Sequence, residues 1–402
     1  MPTMIESPLA RLTPQQLEDL GREFDAIHDE VYADLGERDR RYITSMIAMH
    51  RRLVVGGRVL LAAAPRSKPA WLAGTAALSV AKILENMEIG HNVMHGQWDW
   101  MNDPDIHSSS WDWDSASTAE AWKHSHNYVH HTYTNIRGKD RDLGYEIMRI
   151  DPHQKWHPVY LAQPFYNLIL AALFEWGVAT HDLDFEAIKK GEKSKAALKR
   201  ELKGMFRKGR QQVVKDYLAY PAISAAVGAA RGGGGARGAR DAYKATLAAN
   251  VTANIVRNVW AYAIIFCGHF PDQTYTFSEE EVADESRGGF YIRQLLGSAN
   301  IEGSPLFHVL SGNLGYQVEH HIFPDMPSTR YAEIAPRVKD ICERYDLPYN
   351  TGPFLRQLGG VQRTILRLAF PGGKPRPKPG PYRSEAFVRA GAEAAGPVAA
   401  AA

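Results

Sequence analysis

The sequence predicts an all-α integral membrane protein, with about four transmembrane helices in two hairpins and a histidine-rich site on the cytoplasmic side. Three observations predict it. Apolar runs of helical length recur between Leu53 and Cys267, 16 histidines fall largely into a few short stretches, and basic residues crowd one connecting segment.

Composition narrows the class. A net charge of +2 gives no reason to expect nucleic acid as a partner. Cys267 and Cys342 are too few for a disulfide framework. Mean hydropathy is −0.34, low for a polytopic protein, but a large polar portion dilutes a small apolar one. The local runs decide more than the average. Residues 1–52 mix acids and bases without a long apolar run, so no cleavable signal peptide is expected.

The elements follow in order. Residues 1–52 read as a cytoplasmic helical segment, with Thr13-Pro14 as a helix start. Leu53 to Ala64 is apolar apart from Arg58, yet a bilayer takes about 20 residues, so this crossing is short. Pro65 to Pro69 reads as a turn. Ala70 to Glu88 is a longer span, interrupted by Lys82 and Glu85, and runs into the first histidines. Val159 to Ala179 is apolar but holds Pro164, Asn167 and Glu175. Val213 to Ala230 and Thr246 to Cys267 are further spans, joined by the Gly-rich connector Arg231 to Arg240, which lacks phosphate-loop spacing. From Phe270 the chain looks soluble. Residues 53–378 are therefore expected to form the membrane domain, and residues 379–402 a disordered Ala/Pro/Gly tail.

Parity fixes a topology. Histidines sharing one site must lie on one side of the bilayer, which requires an even number of crossings between His131 and His320. Three apolar segments lie between them, so one does not cross. His181 to Gln212 holds ten Lys and Arg against five acids, which marks it as cytoplasmic. Val159 to Ala179 is then expected to enter and leave on that face.

Three histidine clusters stand out: His91-x-x-x-His95, His126-x-x-x-His130-His131 and Gln317-x-x-His320-His321. On a helix, residues four apart share a face, so His91 with His95, and His126 with His130, can point at one metal. Adjacent histidines diverge by about 100° at 3.6 residues per turn, which suits two metals side by side. A structural zinc needs four ligands and usually includes Cys; here seven imidazoles converge without a nearby thiolate. That ligand set points to two irons. A lone HxxxH is common by chance; the three clusters together beside apolar spans are not.

His269, at the end of the last span, is a further ligand candidate, and His308 a weaker one. His28, His50, His107, His153, His157 and His181 read as surface or interface residues, and His124 as facing away from His126.

The three clusters resemble the histidine boxes of the membrane fatty acid desaturase family. The surrounding words sharpen the resemblance: Glu88-Ile89-Gly90-His91-Asn92-Val93-Met94-His95-Gly96, His130-His131-Thr132-Tyr133-Thr134-Asn135 and Glu319-His320-His321-Ile322-Phe323-Pro324. The set is most similar to bacterial acyl-CoA desaturases of the stearoyl-CoA 9 type, and covers Leu53 to Arg367. The resemblance implies two transmembrane hairpins under a cytoplasmic helical cap in the cell (inner) membrane, multi-pass, with the site facing the cytoplasm. It implies iron ligation by His91, His95, His126, His130, His131, His320 and His321. Many members have His where Gln317 stands; a neutral amide is a poorer donor, so Gln317 is a weak ligand, a water holder or an orienting group. No His-Pro-Gly-Gly haem signature occurs, so electrons are expected from NADPH through a separate reductase or ferredoxin-like protein.

The expected reaction is O2-dependent insertion of a cis double bond into a long saturated acyl-CoA. Glu88, Asp140, Asp142 and Glu319 are candidates to orient the imidazoles, and Trp98, Trp100, Trp111 and Trp113 to line an acyl tunnel or an interfacial belt. Two other readings stay open: a membrane di-iron hydroxylase of fatty acids or alkanes, and a zinc-binding membrane scaffold without catalysis.

Overall fold

The structure is a computed structural model that describes residues 12–231, 234–272 and 274–373. The expected tail, residues 379–402, lies outside the described residues. We number the helices of eight residues or more.

Helix α1 (Pro14–Ala33) begins where the sequence predicts. Gln16 N donates to Thr13 Oγ1 at 3.2 Å and Thr13 N donates to Gln16 Oε1 at 2.9 Å, so each end of the cap satisfies the other. Helix α2 (Glu37–Ala63) is continuous through the polar and the apolar part of its sequence, with Gly36 ahead of it and acids in its first turn. It packs on α3 (Lys68–Ile83). The two backbones meet at Gly57 and Gly74, where a Cβ on Gly74 would lie 3.0 Å from the Gly57 carbonyl oxygen.

Beyond the histidine segments, α4 (Gln163–Ala172) and α5 (Phe174–His181) are separated by a break at Leu173. Helix α6 (Lys195–Val213) passes through a π-helical turn, Val214–Ala219, into α7 (Tyr220–Ala230). Helix α8 (Gly235–His269) is 35 residues long and packs on α7 and α3. Helices α9 (Arg287–Leu296), α10 (Tyr331–Arg344) and α11 (Phe354–Leu368) complete the chain. A small parallel pair, β1 (Asn300–Glu302) with β2 (Thr351–Pro353), staples the segment before the third histidine cluster to the start of α11, with Asn300 opposite Thr351.

Two cores hold this together. Leu20, Phe24, Leu295, Val318, Phe323 and Val338 bury α1, α9 and α10 against the third cluster. Phe174, Tyr262, Phe266 and Val361 bury the last turns of α8 against α5 and α11.

The all-α expectation holds, but four transmembrane helices in two hairpins does not. Among the described residues one helix, α8, is long and apolar enough to cross a membrane. The other apolar runs fail for local reasons. The apolar half of α2 carries Arg51, Arg52 and Arg58, α3 stops after 16 residues, Leu173 divides the Val159–Ala179 run, and α7 has 11 residues.

Candidate metal centre

The first two histidine clusters sit on π-helical turns. Helix α3 runs directly into Leu84–His91, and a four-residue helix capped by Thr118 runs into Lys123–His130. A π turn closes i to i+5, and such turns recur at functional sites. Residues five apart therefore come onto one side, and the His126 and His131 rings are 5.0 Å apart. The third cluster lies on the short helix Gln317–Ile322, tethered by Val318 N donating to Asn300 Oδ1 at 2.8 Å.

The histidines divide into two groups. His91, His95, His126 and His320 place a nitrogen each within 4.8 Å of one another, and so do His130, His269 and His321. The adjacent pair His320–His321 is split between them: His320 faces His91 at 5.1 Å and His95 at 4.7 Å, while His321 faces His130 at 5.1 Å and His269 at 4.9 Å. His131 stands between, 4.8 Å from His95 and 4.6 Å from His321. Gln317 reaches this centre through Nε2, 3.3 Å from His269 Nε2.

The donor atoms are prepared for a cation. Nε2 of His95, His126, His130, His131, His320 and His321 is buried with no hydrogen-bond partner, a costly arrangement unless another group fills it. The outer nitrogens of four rings, by contrast, are held, while Nδ1 of His131 and of His269 has no hydrogen-bond partner. His91 Nδ1 lies 3.0 Å from Asn92 Oδ1, His321 Nδ1 3.0 Å from Gln294 Oε1, His320 Nδ1 3.2 Å from the Tyr331 hydroxyl and His130 Nδ1 3.1 Å from Asp140 Oδ1. A proton on Nδ1 leaves the Nε2 lone pair facing inward. Burial drives His91 down to about 3, and His95, His131, His320 and His321 well below the usual imidazole range, which favours the neutral ring. Burial also lowers His130, but Asp140 and Asp142 outweigh it and push it up to about 9. The residues present fit a metal site of two adjoining imidazole groups.

Of the acids expected to orient imidazoles, Asp140 meets His130 Nδ1 and Asp142 lies 3.6 Å from His126 Nδ1, whereas the glutamates bond other side chains. Glu88 accepts from the Tyr42 hydroxyl at 2.8 Å and Asn313 Nδ2 at 3.0 Å, and Glu319 from the Tyr349 hydroxyl at 2.6 Å and Asn300 Nδ2 at 2.9 Å. Glu88 ties its helical turn to α2, and Glu319 ties the third cluster to the β1–β2 region. His181, read as a surface or interface residue, has a buried side chain and places Nε2 2.9 Å from Asp142 Oδ1. Nothing in its sequence surroundings signals that, because Asp142 is 39 residues away. His308 stacks on Tyr316 with ring centroids 4.3 Å apart, outside both groups, and His124 is exposed against Tyr128.

A largely apolar cavity opens from His91, His126 and His269 between α5 and α8. Trp113 and Trp122 form one wall; Trp98 packs elsewhere, with Ile43 and Val93.

Comparison with known proteins agrees with this geometry. The fatty acid desaturase family model matches residues 69–353. The NADPH-dependent stearoyl-CoA 9-desaturase of Mycobacterium tuberculosis is 48% identical over 362 residues, 90% of this chain and 82% of that protein. The sn-1 linoleoyl-lipid 6-desaturase of Synechocystis is 26% identical over 72% of this chain and 78% of that protein. Human fatty acid desaturase 3 is 31% identical over 29% of this chain and 24% of its own length. No solved structure matches. The chain belongs to the fatty acid desaturase family, whose members act on fatty acyl chains and are associated with membranes.

Proposed function

We propose that the chain is an O2-dependent acyl-CoA desaturase that converts stearoyl-CoA to oleoyl-CoA. The observation that carries this is the pair of imidazole groups at the head of an apolar cavity. The 48% identity to a stearoyl-CoA 9-desaturase supports the substrate and the bond position.

His91, His95, His126 and His320 would hold one iron and His130, His269 and His321 the other, with His131 between them and Gln317 a weak donor or an orienting group for His269. When bound, the irons supply the O2 activation that removal of hydrogen from unactivated methylenes needs, since no side chain can do it. The balance is simple. The acyl chain loses two hydrogens, a donor supplies two electrons, two protons are taken up, and O2 leaves as two waters. The protein's own residues position and shield: Asn92, Asp140, Gln294 and Tyr331 fix the imidazoles, while Trp113, Trp122 and Phe174 exclude water from the acyl chain.

Electrons would originate in NADPH and arrive through a separate reductase or ferredoxin-like protein, in keeping with the NADPH dependence of the mycobacterial relative. The ten basic residues between His181 and Gln212 favour a seat at the cell membrane with the centre on the cytoplasmic side. Residues 53–378 would form the desaturase domain and residues 1–52 a helical segment preceding it.

Expression in a host lacking unsaturated fatty acids, with products located by mass spectrometry, tests this. A new 9-alkene supports the proposal; an alcohol from the same substrate would instead identify a hydroxylase.

A further inference from the structure

The cavity below the histidines follows one face of α8. From His269 its lining steps back through Ile265, Ala261, Asn258 and Arg257. At about 1.5 Å rise per residue, Arg257 lies about 18 Å from His269 along the axis. The middle of this course is apolar, with Met87, Phe174 and Leu314 facing α8. Its far end is not. There Arg257 donates to Glu175, and both side chains are buried, 4% and 6% exposed. Asn258 locks the carboxylate's helix in place, accepting from Glu175 N at 3.3 Å and donating to the Ala172 carbonyl at 2.9 Å.

An ion pair is an unusual way to end an apolar cavity on a helix long and apolar enough to cross a membrane. Replacing a buried pair with apolar side chains often costs no stability, and ionisable groups at membrane depth mark functional positions. This pair is also incompletely satisfied: Glu175 Oε1 and Arg257 Nε have no hydrogen-bond partner. Each methylene buried above it gains free energy by leaving water. A methyl end driven into it would separate or further desolvate two charges and offer no hydrogen bond in return.

We propose that the Glu175–Arg257 pair is the floor of the acyl cavity and sets the longest saturated acyl chain the protein accepts. This rests on the acyl-CoA reading above. It adds that chain length is measured from the histidines to a polar stop on α8, with Ala261 one turn above that stop.

The test uses the full-length, iron-loaded protein in membranes or detergent, with saturated acyl-CoAs from 14 to 22 carbons. Competition binding to the parent should tighten as methylenes are added and then weaken by roughly tenfold for the first chain that overruns the floor. Removing the pair together, Glu175→Ala with Arg257→Ala, should move that break and the product profile to longer chains. Ala261→Phe should move both to shorter chains. Iron content equal to the parent's identifies variants with an intact centre. Affinity that climbs without a break to 22 carbons, or an unchanged profile in iron-replete variants, overturns the proposal. If the parent binds acyl-CoAs but makes no alkene, the desaturase reading fails while the binding profile still decides the floor.

Discussion

The Tyr331 hydroxyl lies 3.2 Å from His320 Nδ1 and donates to the Phe323 carbonyl at 3.0 Å. Gln97 Nε2 donates to the same hydroxyl at 3.0 Å. With its own proton committed to Phe323, the hydroxyl can only accept from His320. That fixes the tautomer with Nδ1 protonated and Nε2 turned towards His91 and His95.

Tyr331→Phe removes that acceptor with little change of shape. Metal affinity should fall by roughly 10- to 100-fold, the usual effect of losing such an outer partner. Retention of iron against a graded chelator, at unchanged membrane yield, measures it; parent-like retention would show that packing alone orients His320.

His130→Ala removes a nitrogen from the second group and strands Asp140, which is 1% exposed on its side chain. Desaturation should disappear while the protein remains in the membrane fraction. Product analysis in the complemented host reads the outcome, and retained activity would contradict the assignment of His130.

Gly288→Ala should destabilise the fold without touching the centre. A Cβ there would lie 1.9 Å from the Leu17 carbonyl oxygen, where α1 crosses α9. Overpacking of this kind costs about 1–3 kcal/mol. A lower Tm with an unchanged iron-to-protein ratio is the expected result.

His28 makes the α1 docking pH-dependent. Its pKa is raised mainly by the hydrogen bond to Asp325, 3.3 Å away, against partial burial. A raised folded pKa gives stabilisation that is complete below about 6.5, the unfolded value, and is lost as pH rises through the folded one. His28 is partly exposed and its partner Asp325 half exposed, so screening limits the effect to a fraction of a kcal/mol. The Tm should fall slightly between pH 6 and 8.5, and His28→Gln should flatten that slope.

Helical spacing placed His91 with His95, but His126 and His130, expected to point at one metal, fall in different imidazole groups. The His320–His321 pair then splits between two groups, as its divergence requires. The end of the last span offered His269 as a candidate, and its ring lies 4.9 Å from that of His321. What sequence could not convey is the π-helical winding before His91 and His130, since it follows from tertiary packing rather than from residue type. The same limit hid His181, Gln294 and Tyr331, whose roles depend on contacts with distant segments. The membrane helices were over-read because apolar composition does not report where a helix ends. Leu173 breaks one run, and α3 gives way to a π turn after 16 residues.

Metal analysis of the purified full-length protein, joined to stearoyl-CoA turnover with O2 and an electron donor, tests the central claim most directly. Two irons per chain and a stoichiometric alkene product are predicted. One zinc per chain, with no product from any donor, would contradict it.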